Sequence, residues 1–225
     1  MRETVRQLGS AAVVVAAAAA LAGSLAACNI IGAVGYAVGA AAEEGNRTVL
    51  AEYTGLQGQD FAVLVYVEPV LEMDHPRLRN RLTNASTRIL SQPGVGATRV
   101  VPAPPVLEFQ YENPSWTTWS YERLAEEFTV GRLVLLDLVE YRLHEPGNRF
   151  TYDGQAIARL SVYEAGTPGD ELAFSREVRV SFPDVTGLMR TEAPPETVAA
   201  NLEQRLVNRA TWLLFDHEEP KKIEY

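Results

Sequence analysis

Few side chains in this sequence have the type and spacing that catalysis or metal binding requires. The three histidines, His75, His144 and His217, are isolated, and none belongs to a His-x-x-x-His or Cys/His cluster. The sequence contains neither a Gly-x-Ser-x-Gly nucleophile turn nor a Gly-x-x-x-x-Gly-Lys-Ser/Thr phosphate loop. We therefore expect no metal ion, no cofactor and no enzymatic activity, and we interpret the histidines as solvated loop residues.

Asp137 is a carboxylate inside an apolar run, residues 133–138. Because an unpaired buried charge is costly, Asp137 must reach a cationic partner or the end of the sheet. Pairing with Arg142 or Arg159 is one interpretation. The alternative is a carboxylate at a ligand-binding or catalytic site, which leaves open a small-ligand binder or an enzyme that uses Asp137.

Two tryptophans and a tyrosine lie close together in a polar, proline-containing segment, residues 111–119. Exposed aromatic side chains often anchor protein interfaces. Tyr111, Trp116 and Trp119 are therefore candidate partner-binding residues. The alternative is that they fold back over the sheet as a lid on the core.

Arg77, Arg81 and Arg88 form a basic stripe on the helix that we predict to begin at Pro76. Such a stripe could contact an acidic partner or lipid head groups. The alternative is a solvated helix face with no binding role. A nucleic-acid partner is not expected, because the formal net charge of the chain is −9.

Cys28 is the only cysteine, and the residues before it form a distinctive pattern. Arg2 and Arg6 give a short basic start, and residues 11–21 are all Ala, Val or Leu. That run is too short for a bilayer span, which needs about 20 residues, and it is typical of a secretory signal. Leu25-Ala26-Ala27-Cys28 resembles the lipobox of bacterial lipoproteins. A buried cysteine after an alanine-rich helix is the alternative.

The lipoprotein resemblance implies that residues 1–27 are a cleaved signal peptide and that Cys28 carries a diacylglycerol. Two or more acyl chains anchor a protein stably to a membrane. Residues 28–52 would then be a tether, and the protein would face the periplasm from the cell envelope. Asn29, in place of Asp, favours the outer membrane over the inner.

Hydropathy patterns predict one α/β (α+β) domain over residues 53–215, followed by a charged tail, residues 216–225. The run FAVLVYV, for example, suits a strand that is buried on both faces. We predict a mixed sheet of about five strands with three helices in the order β-α-β-α-β-β-β-α. The strands are predicted at residues 61–67, 97–101, 133–143, 151–163 and 172–182, and the helices at 76–92, 120–130 and 194–213.

Several segments of this domain carry a further resemblance. Tyr53-Thr54-Gly55-Leu56 precedes FAVLVYV, Gly131 leads into LVLLDLVEYRL, and ARLSVYEA is followed by ELAFSREV. The pattern resembles periplasmic α/β domains that include the TolB amino-terminal domain, the curli secretion lipoprotein CsgG and the penicillin-binding-protein activator LpoB. Together with the lipobox and the absence of catalytic motifs, this α/β pattern predicts a non-catalytic, lipid-anchored domain that binds another envelope protein or helps assemble an envelope complex. A CsgG-like secretion-channel subunit is an alternative, although the turns at residues 145–150 and 166–170 are short for a channel.

Overall fold

The computed structural model describes residues 46–148, 150–184 and 187–220. The predicted signal peptide, the lipid site at Cys28 and residues 221–225 lie outside the described residues. The chain divides into two compact units, the larger of which includes Thr48–Glu218. In the smaller unit the described residues include Arg47 and Glu219, whose Nε and Oε1 atoms are 2.9 Å apart.

The larger unit contains a five-stranded mixed sheet, which confirms the predicted α+β class and sheet. The strand order is β3-β2-β4-β5-β6; β3, β2 and β4 are parallel, and β4, β5 and β6 are successively antiparallel. Two short strands, β1 and β7, form a separate pair within residues assigned above to the tether and the charged tail. The strands are β1 (Asn46–Val49), β2 (Asp60–Val67), β3 (Arg99–Val100), β4 (Arg132–Arg142), β5 (Gly154–Glu164), β6 (Leu172–Phe182) and β7 (His217–Pro220).

The described residues form five α-helices, two more than the sequence pattern predicts. They are α1 (Pro69–Asp74), α2 (Leu78–Leu90), α3 (Ala103–Glu112), α4 (Tyr121–Phe128) and α5 (Pro195–Thr211). Helix α1 has six residues and buries none of them, so its sequence shows no helical repeat of apolar residues from which it could be predicted. Helix α3 has two prolines in its first turn, where they are tolerated because their missing N–H groups would have no partner within the helix. None of the helices in the described part of the chain is long and apolar enough to cross a membrane.

Helices pack on both faces of the sheet, and we name the faces after them. On the α2/α5 face, alternate residues of the strands pack against Leu82 of α2 and Leu202 of α5. On the α3/α4 face, Leu64 and Leu133 pack against Phe109 of α3 and Leu124 of α4. Successive side chains of a strand point to opposite faces, so neighbouring residues of each strand contribute to different faces of the sheet.

Candidate functional site

A row of four side chains crosses the α3/α4 face of the sheet. Tyr66 of β2 is in register with Asp137 of β4, and Asp137 is in register with Arg159 of β5. Arg159 is in turn in register with Glu177 of β6. Side chains in register on neighbouring strands point to the same face. We call Asp137, Arg159 and Glu177 the charged row, and it alternates in sign up to the edge strand.

A cleft with a volume of ≈ 330 Å³ opens at the end of this row where β2 and β4 lie. That volume lies near the lower end of the range for small-molecule pockets, about 300–1,000 Å³. The polar and aromatic side chains that line it include Tyr66, Trp116, Trp119, Tyr121 and Asp137. We call it the aromatic cleft. Trp116, Trp119 and Asp137 are candidates that the sequence predicts, whereas Tyr66 and Tyr121 are not.

The two tryptophans have different roles in this cleft. Trp116 is 7 % exposed and packs edge-on against Tyr66, with ring centroids 6.3 Å apart. It therefore belongs to the core, as the lid interpretation predicts. Trp119 is half-buried: its ring packs edge-on against Phe109 at 5.3 Å, and the Arg123 guanidinium lies 3.4 Å from its centroid. The cation stacks on the aromatic face, as is common for Arg and Trp.

The segment of residues 111–119, which lies outside the predicted helices and strands, is partly helical. Tyr111 lies in α3, and Trp116 begins a 3-10 turn. Helix α4 then begins after Ser120, whose Oγ accepts a hydrogen bond from the Arg123 backbone N–H and so caps the helix. Tyr111 is 81 % exposed and does not line the aromatic cleft, so the structure separates it from the two tryptophans.

Asp137 is half-buried and lines the aromatic cleft. The predicted pairing with Arg142 is wrong, because the Arg142 guanidinium instead bonds Glu140 at 2.9 Å and Gln155 at 2.7 Å. Arg159 lies opposite Asp137 in register, yet no ion pair joins them in the part of the chain that the structure describes. The carboxylate is consequently open to a ligand from the cleft.

The basic stripe of Arg77, Arg81 and Arg88 lies along α2 and its N-cap, on the opposite face of the sheet from the cleft, and all three side chains are exposed. Arg81 makes two 2.8 Å hydrogen bonds to Glu203 of α5, which is buried. The Tyr141 hydroxyl donates to the same carboxylate at 3.0 Å. These bonds to Glu203 raise the pKa of Arg81, and burial raises the pKa of the Tyr141 hydroxyl. Arg81 therefore links α2 to α5 and is not free for a partner.

Two of the histidines lie in separate loops that meet at a second cleft, which has a volume of ≈ 530 Å³. His75 and His144 both line it, and the His75 ring packs edge-on against Tyr141 with centroids 4.6 Å apart. Burial lowers the pKa of His75. His217 stacks on Trp212 at 4.6 Å. Among the described residues, no group of three acidic, histidine or cysteine side chains could hold a metal ion.

No protein-family model matches the sequence, and no curated protein matches it significantly. Among solved structures, the chain is similar to a dodecamer of a PelC variant from Paraburkholderia phytofirmans, with 12% identity, 76% of this chain and 96% of that chain covered, and a TM-score of 0.41. It is similar to lipoprotein GNA1162 from Neisseria meningitidis, with 12% identity, coverage of 64% and 92%, and a TM-score of 0.43. At these values the likeness assigns the chain neither a partner nor an assembly. The resemblance to TolB, CsgG and LpoB domains is not tested by these matches and stays a prediction.

Proposed function

We propose that the protein is a lipid-anchored, non-catalytic component of the cell envelope that binds another envelope protein through the aromatic cleft. The lipobox-like leader ending at Cys28 supports the anchor and the location. The observation that carries the binding role is the cleft itself, where aromatic rings and the open Asp137 carboxylate meet on one face of the sheet.

The cleft favours a partner segment that presents a lysine or arginine among apolar residues. Aromatic rings such as Tyr66 and Trp119 can contact the aliphatic stem of such a side chain, and its charged end can reach Asp137. Arg123 already shows this chemistry within the chain, because its guanidinium stacks on Trp119. A cation held by both a carboxylate and aromatic rings is bound more strongly than by either alone.

Recovery of the partner tests this role. Full-length protein would be extracted from its own membrane in mild detergent, and co-purifying proteins would be quantified for wild type and for the Tyr66→Ala, Trp119→Ala double variant. Arg88→Ala is the control, since Arg88 is exposed on the opposite face. We expect the double variant to recover about tenfold less partner than wild type, which corresponds to about 1.4 kcal/mol of binding free energy. The control should recover as much partner as wild type. Equal recovery from a folded double variant would contradict the proposal.

The anchor has a separate test. Cys28→Ser removes the thiol that would carry the lipid, so we expect the protein to move from the membrane to the soluble fraction. Asn29→Asp keeps the thiol, and we expect it to move the protein from the outer to the inner membrane fraction. Density-gradient fractionation of membranes measures both. A Cys28→Ser variant that stays in the membrane pellet would exclude lipid anchoring through this residue.

The open position of Asp137 also favours a second candidate, a binder of small organic cations. The same aromatic rings and carboxylate would surround an alkylammonium group. Tetramethylammonium should then raise the thermal unfolding midpoint of the wild-type protein and leave that of Asp137→Asn unchanged. An identical response in both proteins would remove this candidate.

A further inference from the structure

Strand β6 is a long, open edge of the five-stranded sheet. It has 11 residues, and β5 is the one strand that pairs with it among the described residues. The outer edge of such a strand presents unpaired N–H and C=O groups, which readily pair with a strand of another chain. Helix α5 packs on the α2/α5 face of β6, where Arg205 donates to the Ser181 carbonyl at 3.0 Å. Nearer the start of the strand, Arg176 donates to Glu52.

The charged row stops at this edge on a negative side chain. Asp137, Arg159 and Glu177 alternate in sign from β4 to β6, and Glu177 has nothing beyond it in the described sheet. Two residues along β6, Arg179 points to the same face. The side chains of Arg179 and Glu177 are 62% and 56% exposed, and their charged groups lie 3.8 Å apart within the strand. So exposed an ion pair contributes little, and both groups can turn to a partner strand. A positive side chain next to Glu177 on a neighbouring strand would continue the alternation.

We propose that β6 pairs in antiparallel fashion with β6 of a second copy of this chain, on a two-fold axis at Val178. In that register Glu177 lies opposite Arg179 of the second copy, and Arg179 opposite its Glu177. Val178 then meets Val178, and Phe174 meets Phe182 on the other face. The charged row of each copy ends on a positive residue of the other.

The spacing of charges along β6 selects this register over its neighbours. An axis at Glu177 would place two glutamates opposite each other, and an axis at Arg176 or Arg179 would place two arginines opposite each other. Like charges directly opposite destabilise a strand pair, whereas unlike charges stabilise it. Charged edges usually prevent pairing, but a self-complementary pattern permits this alignment and disfavours the alignments that place like charges opposite each other. Two-fold dimers are the commonest closed assemblies of identical chains.

The paired strands would form one continuous sheet from the two five-stranded sheets. Both aromatic clefts would open on the same face of it, at the far ends from the dimer axis. The dimer therefore does not cover Tyr66, Trp119 or Asp137, and self-association is independent of the proposed partner binding.

Charge reversal on full-length protein tests the dimer. Its mass would be measured in mild detergent by sedimentation equilibrium, with the solvent density matched to the detergent. We expect wild type to be a dimer, and Glu177→Arg or Arg179→Glu alone to weaken self-association about tenfold or more through like-charge contacts. Both side chains are exposed, so circular dichroism should show native folding for each variant.

Complementation distinguishes this register from other contacts. Mixing Glu177→Arg with Arg179→Glu should restore a dimer, and so should the double variant that carries both changes in one chain. Arg88→Glu, a charge reversal on α2, should leave the dimer intact. A wild-type monomer, an assembly that neither reversal weakens, or folded single variants that fail to recombine would each overturn the proposal. Partner recovery is a different measurement, so the two proposals can fail separately.

Discussion

The two faces of the sheet differ in how far helices cover them. Helices α2 and α5, with 13 and 17 residues, pack along the α2/α5 face and bury side chains from four strands there. Helices α3 and α4, with 10 and 8 residues, cover the other face at one end. Tyr66 and the charged row lie beyond them. We infer that the α2/α5 face stabilises the fold and that the α3/α4 face is available for binding.

The largest predicted effect separates the faces by stability. Leu202 of α5 is fully buried in the α2/α5 core, so Leu202→Ala should lower the free energy of unfolding by about 3 kcal/mol. Tyr66 is 36% exposed at the cleft, and Tyr66→Ala should cost about 1 kcal/mol. Urea denaturation followed by circular dichroism measures both. Equal losses of unfolding free energy in the two variants would contradict the different roles of the two faces.

A smaller effect is expected from the polar contact beneath the α2/α5 face. Glu203→Gln keeps the shape of a side chain that accepts hydrogen bonds from Arg81 and Tyr141 but removes its charge. Bonds to charged groups contribute about 1.5–3 kcal/mol, so we predict a loss of about 2 kcal/mol. Glu127→Gln, an exposed change on α4, should cost less than about 0.5 kcal/mol in the same urea assay. A negligible loss for Glu203→Gln would show that this contact does not hold α2 to α5.

The smallest effect concerns alkaline pH. Burial, together with a 2.7 Å hydrogen bond to Glu164, raises the pKa of Tyr53 from 10.0 to about 12. The protonated hydroxyl is thus favoured in the folded state, and its contribution is complete below pH 10 and lost as pH rises toward 12. We expect Tyr53→Phe to be less sensitive than wild type to pH between about 10 and 12, measured as the unfolding midpoint. Parallel pH curves for the two proteins would contradict this.

The strands were predictable from local pattern, whereas two helices were not. Strands β2, β4, β5 and β6 have continuous or alternating apolar residues, which specify strands wherever they occur. Helix α3 has Pro104 and Pro105 in its first turn and only a weak apolar period, although tertiary packing of Val106 and Phe109 stabilises it as a helix.

The site was predictable in its parts but not in its arrangement. Asp137 is conspicuous because it interrupts an apolar strand, and Trp116 and Trp119 because aromatic residues are rare in polar segments. Tyr66 is hidden inside the apolar run of β2. The charged row depends on the alignment of β4, β5 and β6. That alignment is set by turn geometry and by one register shift in each of the two strand pairs, and not by any local pattern.

Site-specific photo-crosslinking in living cells tests the binding role of the α3/α4 face most directly. A photoreactive residue at Thr117, which is exposed and lines the aromatic cleft, should form a covalent adduct with one envelope protein. The same residue at Asn84, exposed on α2, should form none. An adduct at Thr117 that disappears in the Trp119→Ala background is the predicted result. An adduct at Asn84 with none at Thr117 would place the partner on the other face and contradict it.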